Sequence, residues 1–199
     1  MMKELLLIRH GEADHNVLFA QNRHLEAQKL RDPRLNRKGV QQAVDLKHRL
    51  SNLLRRSFHL ELVITSPMTR TLMTSDLVFA GIKCPVLISP IPREQGDYPC
   101  DYGTEKSELE KNFPHHDFNE LPEVWWTEEE SQEQVAERVE EFKRFLNNRP
   151  EQKLAVVSHG VFLKTLARSA DQCFGSFKNC ECVKATLDDE GNFKLCRGN

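Results

Sequence analysis

The chain has 199 residues, of which 39% are hydrophobic and 29% are charged, so it is long enough to bury the core of one soluble globular domain. No stretch approaches the roughly 18 apolar residues of a membrane-spanning helix. The apolar run at residues 5–8 is too short for the core of a signal peptide and ends at Arg9. We therefore expect a cytoplasmic protein that has no membrane partner.

Charge and cysteine usage exclude two further classes of protein. The formal net charge is -2, although residues 1–60 hold 12 Lys/Arg against 6 Asp/Glu and residues 94–130 hold 2 Lys against 12 Asp/Glu. Because the surface is not basic overall, nucleic-acid binding is not expected. The six cysteines form no CxxC pair, so we expect reduced thiols and no metal site.

The hydrophobic periodicity predicts strands that alternate with helices. In chain order we expect a strand at 3–8, a helix after Asn36, a strand at 60–65, a helix from Ser66-Pro67 towards Phe79, a strand at 86–88, a short helix near 104–111, a helix at 131–146, a strand at 154–158, a helix at 161–168, and strands at 181–187 and 193–196. This order is typical of an α/β fold, here a three-layer sandwich with a mostly parallel central sheet flanked by helices. With no linker or repeat, residues 1–199 are predicted to form a single domain.

Polar residues and glycines follow three of the predicted strands directly. They are Arg9-His10-Gly11, Ser66-Pro67 with Arg70, and Ser158-His159-Gly160. In open α/β sheets the ligand crevice lies at the carboxyl ends of the strands, so we expect these residues to converge there.

This set of residues has the chemistry of a phosphoryl site. The planar guanidinium groups of Arg9 and Arg70 suit phosphate oxygens, and the helix after Ser66 is expected to add backbone N–H groups. A neutral imidazole of His10 or His159 can attack phosphorus, and nearby arginines favour that neutral form. A lone histidine at a strand end is more often a hydrogen-bonded core residue. Two histidines, each followed by Gly and accompanied by two Arg, favour the functional interpretation.

Three segments then resemble the histidine phosphatase superfamily, which has the phosphoglycerate mutase-like fold. They are Leu7-Ile8-Arg9-His10-Gly11-Glu12, Ser66-Pro67-Met68-Thr69-Arg70 with Thr74, and Val157-Ser158-His159-Gly160-Val161. The resemblance implies that His10 becomes phosphorylated, that Arg9, Arg70 and His159 line the phosphate pocket, and that Asn16 assists. It implies no metal and no cofactor. Glu12 is left outside the catalytic set, as a residue that orients the pocket or caps the next turn.

The family also uses a general acid for the leaving group, usually a Glu after the third strand. Glu94 stands at this place, and the resemblance implies that burial or bound phosphate raises its pKa. Asp97 and Asp101 are neighbouring carboxylates that leave this assignment open. Residues 94–130 are expected to form a lid or wall that selects the substrate.

The loop at residues 93–101 resembles a eukaryotic mutase-like branch of the family. The resemblance and the short chain favour a metal-independent phosphatase acting on a phosphorylated small molecule. A phosphoglycerate-type mutase, a phosphoprotein phosphatase and a non-catalytic binding module on the same fold remain as alternatives. The oligomeric state stays open.

Two side-chain groups in residues 94–130 are ambiguous. Four aromatic residues either stack on an organic moiety of the substrate or, as is more common, form the segment's own apolar core: Tyr98, Tyr102, Trp125 and Trp126. His115 and His116 are adjacent, and adjacent positions on a helix or strand do not share a face, so a solvated loop is expected there.

Overall fold

Six strands and seven α-helices alternate along residues 2–170 and 175–196, the part of the chain that the computed structural model describes. The strands are β1 (Lys3–Arg9), β2 (Leu62–Thr65), β3 (Val86–Ile88), β4 (Lys153–Ser158), β5 (Cys182–Leu187) and β6 (Phe193–Cys196). The helices are α1 (Asp14–Ala20), α2 (His24–Gln28), α3 (Arg37–Arg56), α4 (Thr69–Phe79), α5 (Lys106–Asn112), α6 (Gln132–Asn147) and α7 (Gly160–Arg168). A 3-10 turn covers Pro99–Asp101.

One sheet joins the six strands in the order β3-β2-β4-β1-β5-β6. The first four strands are mutually parallel, and β5 and β6 run antiparallel at one edge. Arg9 at the end of β1 lies opposite Ser158 at the end of β4, and Thr65 at the end of β2 lies opposite Val157. The carboxyl ends of three neighbouring strands therefore meet at one edge, with β4 between the other two.

Alternating side chains of the strands bury both faces of this sheet. Leu5 and Leu7 of β1 pack in a cluster with residues of α6 and α7, whereas Leu6 and Ile8 pack with residues of α3 and α4. Full burial of such a side chain is worth roughly 1.5–3 kcal/mol, so both helical layers are held by apolar contact. This arrangement confirms the predicted three-layer sandwich with a mostly parallel sheet.

A third apolar cluster joins residues 94–130 to α4 and to the end of β3. Its buried members are Met68, Leu72, Ile88, Leu109, Phe113, Phe118, Leu121 and Trp125. Nε1 of Trp125 donates to the carbonyl oxygen of Thr104 at 2.9 Å, which satisfies the polar end of the ring. Trp125 is therefore a core residue of this segment, whereas Tyr98 is exposed.

The predicted start of α4 at Ser66-Pro67 is wrong. The helix begins at Thr69, and the side chain of Asp32 occupies its first turn. The carboxylate accepts from the backbone N–H of Thr69 at 3.0 Å and from its hydroxyl at 2.7 Å. The sequence predicts that the first N–H groups of this helix bind a ligand, but the N–H of Thr69 is hydrogen-bonded to Asp32 instead. The short helices α1 and α2 were not predicted either.

The cysteines of the described residues form no disulfide bond. Five cysteines are free: Cys84, Cys100, Cys180, Cys182 and Cys196. The sixth, Cys173, lies outside the described residues. Among the helices described, none is long and apolar enough to cross a bilayer.

The loop after β1 is pressed against the first turn of α3. A Cβ atom on Gly39 would lie 2.0 Å from the carbonyl oxygen of Glu12, and one on Gly11 would lie 2.6 Å from the carbonyl oxygen of Gly39. The Glu12 carboxylate accepts from Asn36 at 3.1 Å and from Lys38 at 2.8 Å. Glu12 therefore fastens the loop that carries His10 to the start of α3.

We expect Gly39→Ala to lower the free energy of unfolding by about 1–3 kcal/mol, because the added methyl group overpacks a backbone contact. Alanine is otherwise the better helix former, so helix propensity predicts the opposite sign. Urea denaturation measures the change. The control is Gly175→Ala, at an exposed glycine with nothing within 4 Å of the added Cβ. Equal stability of the two variants would contradict the close approach.

Candidate active site

Three histidine rings cluster at the carboxyl ends of β1 and β4. The ring centroid of His10 lies 5.2 Å from that of His159 and 5.9 Å from that of His15. All three side chains are buried. His15 was missed from the sequence because it lies on α1, a helix too short to give a clear periodic signal.

The ring of His10 is held in one tautomer. Its Nδ1 atom lies 2.7 Å from the carbonyl oxygen of Gly11, which can only accept, so Nδ1 carries the hydrogen and Nε2 carries the lone pair. The backbone is fixed as well, because the His10 N–H donates to Ser158 and the side chain of Asn179 donates to the His10 carbonyl oxygen. This tautomer leaves the lone pair of Nε2 free of any proton.

The environment also keeps His10 uncharged. Burial is the main cause that lowers its pKa well below the usual value, and the charges of Arg70 and Arg9 with the neighbouring His159 and His15 rings add to it. Burial and the same two arginines lower the pKa of His15 to about 2. At neutral pH the cluster is therefore a set of neutral imidazoles beside two cations.

His159 is fixed from the neighbouring strand. Its Nε2 atom lies 2.9 Å from the hydroxyl oxygen of Ser66, the residue that follows β2. Its Nδ1 atom is buried and has no hydrogen-bond partner among the described residues. Burial, followed by the charge of Arg70, lowers its pKa well below the usual value. A buried polar atom without a partner is uncommon and is typical of a site that binds a ligand.

Arg9 and Arg70 each have a guanidinium N–H group without a hydrogen-bond partner among the described residues. Arg70 is fully buried, and it donates to the carbonyl oxygen of Cys100 at 2.9 Å and lies 3.5 Å from the Asp101 carboxylate. Arg9 donates to the carbonyl oxygen of Phe177 at 2.7 Å. In both side chains this N–H group is at the buried Nε atom. Positive charge buried in this way is suited to an anion such as a phosphoryl group.

Two carboxylates reach the site from the segment after β3. Glu94 accepts from the backbone N–H groups of Val161 and Phe162 at 3.1 and 3.3 Å. Its carboxylate therefore contacts the first turn of α7, the helix that begins directly after His159. Asp101 lies against Arg70, and burial chiefly raises its pKa to about 7, although the arginine charge opposes the shift. Asp101 therefore has the protonation behaviour of a general acid near neutral pH.

A buried ion cluster positions the loop that carries Glu94. Glu130 accepts from Arg138 at 2.8 Å and from Arg93 at 3.1 Å. Arg138 also donates to the carbonyl oxygens of Ile91 and Arg93 at 2.7 and 2.8 Å. Arg138 was not expected to support the site, because an arginine on an amphipathic helix is ordinarily solvated. Its contacts hold the backbone immediately before Glu94.

The Asn16 side chain lies beside the histidine cluster, and both ends of its amide group already have hydrogen-bond partners. Its Oδ1 atom accepts from the backbone N–H of Ala13 at 3.0 Å, and its Nδ2 atom lies 2.9 Å from Nε2 of His15. The side chain therefore holds the first turn of α1 and orients His15. The structure brings the predicted residues Arg9, His10, Arg70, Glu94 and His159 to the same strand ends, with Asn16 in the wall.

The expected solvated loop is found at His115, whose side chain is 57% exposed, but not at His116, whose side chain is only 6% exposed. A turn closed by the hydrogen bond from the N–H of His116 to the carbonyl oxygen of Phe113 places the two rings 4.3 Å apart. Both rings face Asp76 of α4. The rule that adjacent side chains point apart holds for helices and strands, and this turn is neither.

Comparisons with known proteins show which family this chain belongs to. The model of the histidine phosphatase superfamily (branch 1) matches residues 5–193. A probable phosphatase of Schizosaccharomyces pombe is 31% identical, over 81% of this chain and 76% of the relative. A phosphoglycerate mutase-like protein of Arabidopsis thaliana is 30% identical, over 96% of this chain and 86% of the relative.

Solved structures share the fold over almost the whole chain. Bacillus stearothermophilus YhfR is 25% identical with a TM-score of 0.68, covering 96% of this chain and 94% of its own. A mycobacterial glucosyl-3-phosphoglycerate phosphatase in complex with VO3 is 19% identical with a TM-score of 0.65, covering 99% of both chains. The family match from β1 to β6, together with the shared fold, identifies this chain as a member of branch 1 of the histidine phosphatase superfamily.

Proposed function

We propose that the protein is a metal-independent phosphatase that hydrolyses phosphomonoesters of small metabolites through a phosphohistidine on His10. The observation that carries the proposal is the lone pair of His10 Nε2, held in a cluster with two guanidinium groups that keep buried, unpaired donors. The S. pombe relative named a probable phosphatase supports the same reaction class.

In the first step Nε2 of His10 attacks phosphorus and the bond from phosphorus to the ester oxygen breaks. Arg9 and Arg70 bind the non-bridging oxygens, whose charge they neutralise as the phosphoryl group moves. The leaving oxygen takes a proton from a carboxylic acid of the site. The products of this step are the free alcohol and a phosphohistidine.

In the second step water attacks the phosphohistidine and the nitrogen–phosphorus bond breaks. The carboxylate that gave its proton in the first step takes one from the water, so the acid is regenerated. Inorganic phosphate leaves and His10 returns to its neutral form. The low pKa of His10 favours this return, because the released imidazole keeps only its Nδ1 hydrogen and takes up no second proton at neutral pH.

Glu94 and Asp101 both qualify as the acid. Glu94 has the position that the family resemblance implies, beside the start of α7. Asp101 has a pKa raised to about 7 and contacts Arg70. Since an acid works best when its pKa is near the working pH, Asp101 is a second candidate of equal standing.

We further propose that residues 94–130 form one wall of the substrate pocket. Cys100 and Asp101 of this segment contact Arg70, and Glu94 contacts the start of α7. The segment holds 2 Lys against 12 Asp/Glu, a charge that disfavours substrates with many negative groups where it faces the pocket. The A. thaliana relative is named mutase-like, so a phosphoryl transfer between two substrate hydroxyls is the second candidate function.

His10→Ala is expected to lower turnover by several powers of ten without unfolding the protein. The measurement is phosphate release from a panel of phosphorylated metabolites in EDTA, with circular dichroism as the check of folding. The matched control is His59→Ala, at an exposed histidine. His159→Ala and Arg70→Ala should each cost about 2.7–4 kcal/mol of transition-state stabilisation.

Normal turnover by a folded His10→Ala variant would contradict the proposed chemistry. Loss of the wild-type activity in EDTA would contradict its metal independence. Interconversion of phosphate isomers without phosphate release would favour the mutase. A wild-type protein that binds phosphorylated compounds and turns over none would favour a binding module.

The acid is identified by comparing Asp101→Asn with Glu94→Gln on two substrates. An alkyl phosphate needs protonation of its leaving oxygen, whereas p-nitrophenyl phosphate releases a stable phenolate. Loss of the acid should therefore cost about 10²–10⁴ in rate on the alkyl phosphate and far less on the phenyl ester.

The pH dependence separates the two carboxylates. If Asp101 is the acid, kcat/KM for the alkyl phosphate falls as the pH rises through about 7, because the donor loses its proton, and Asp101→Asn removes this limb. If Glu94→Gln alone shows the selective loss, Glu94 is the acid. Equal losses on both substrates would exclude a proton-donor role for the residue tested.

A further inference from the structure

A second cluster of ligand-type side chains lies away from the histidines of the active site. It consists of Asp76 on α4 with His115 and His116, which follow α5. Nε2 of His115 lies 3.0 Å from one carboxylate oxygen of Asp76, and Nε2 of His116 lies 2.8 Å from the other. Among residues 2–170 and 175–196, this is the one set of three His, Cys, Asp or Glu side chains whose ligand atoms all lie within 4.8 Å of one another.

Nε2 of His116 lies within ion-pair distance of the Asp76 carboxylate but is poorly aligned with it for a hydrogen bond. Only 6% of the His116 side chain is exposed, and its Nε2 atom is buried without an aligned hydrogen-bond partner in the described residues. The ring is held from both sides by Phe113 and Phe118, with centroids 6.3 and 6.2 Å away. A cation placed between this nitrogen and the Asp76 carboxylate would bond to both atoms, so the site has donors for one.

Access and charge suit a cation. The three residues line a cavity of about 700 Å³ between α4 and the turn at residues 115–117. His115 is 57% exposed, so the cluster is open to solvent on one side. The histidines lie within residues 94–130, where 12 Asp/Glu outnumber 2 Lys, and the field of this segment attracts positive ions.

The donor set suits a transition-metal ion rather than calcium or magnesium. Two imidazole nitrogens and one carboxylate oxygen are ligands of Zn²⁺, with bonds of about 2.0–2.2 Å and a fourth position left to water. Tetrahedral bonds of that length place neighbouring ligand atoms roughly 3.4 Å apart. The observed separations of 3.0 and 2.8 Å need to open by roughly 0.4–0.6 Å, which the exposed His115 side chain and the half-buried Asp76 side chain allow.

We propose that Asp76, His115 and His116 bind one Zn²⁺ ion outside the phosphoryl pocket. The ion fastens the turn after α5 to α4. This helix also carries Arg70 and Thr74, whose hydroxyl oxygen accepts from the backbone N–H of Gly11 at 3.0 Å. The site therefore joins residues 94–130 to the helix that supports the phosphoryl pocket. It takes no part in the reaction, so activity in EDTA is compatible with it.

The test uses the full chain with any affinity tag removed, after treatment with EDTA and dialysis. Calorimetric titration with Zn²⁺ should give one ion per chain, and Co²⁺ should give the visible absorption of a four-coordinate site. His115→Ala and Asp76→Asn should each weaken binding by at least about tenfold. Zn²⁺ at about 100 times its Kd should raise the melting temperature of wild type by roughly 5–10 °C.

Two control variants keep the result specific. His59→Ala removes an exposed histidine outside the cluster and should leave binding unchanged. His10→Ala should also leave it unchanged, because the active-site rings are not ligands of this ion. The absence of stoichiometric binding would overturn the proposal. So would binding that survives both Asp76→Asn and His115→Ala, or binding that disappears with His10→Ala.

Discussion

The buried guanidinium of Arg70 is the charge around which the site is arranged. Its side chain is fully buried, and its close protein partners are a backbone carbonyl and one carboxylate at 3.5 Å. This charge lowers the pKa of His10, of His15 and of His159, after burial as the first cause in each case. A cation in a poorly solvated position acts over several ångströms, so one side chain adds to the effect of burial on all three histidines.

The sheet supplies the rigidity that such a charge needs. β4 lies between β1 and β2, so His159, His10 and Ser66 follow three adjacent parallel strands at one edge. Two apolar layers pack against the opposite faces of these strands, and both helical layers must move before the strand ends can separate. Catalytic side chains supported in this way keep their spacing when a ligand arrives.

Residues 94–130 form a segment that shares an apolar cluster with α4. This helix begins with Thr69 and Arg70. The segment therefore shares a support with the pocket, and Cys100 and Asp101 contact the Arg70 side chain directly. The ion cluster of Glu130 with Arg93 and Arg138 holds its first residues. Both carboxylic acids considered for proton transfer come from this one segment, at Glu94 and Asp101.

The sequence by itself determined the α/β architecture and predicted most residues of the candidate site. Strand and helix periodicities are local properties, and the residues directly after buried strands converge wherever the sheet is parallel. Arg9, His10, Arg70 and His159 were identified on that basis, with the motifs that they form.

Only the tertiary structure decided the remaining features. The tautomer of His10 depends on the path of the Gly11 carbonyl, and the protonation of Asp101 depends on burial beside a residue 31 positions away. Asp32 reaches the start of α4 across 37 positions, and the turn at His116 brings two adjacent rings to one carboxylate. These are contacts between distant segments or in irregular backbone. Their geometry depends on how whole elements pack against one another, so it cannot be predicted from local sequence patterns.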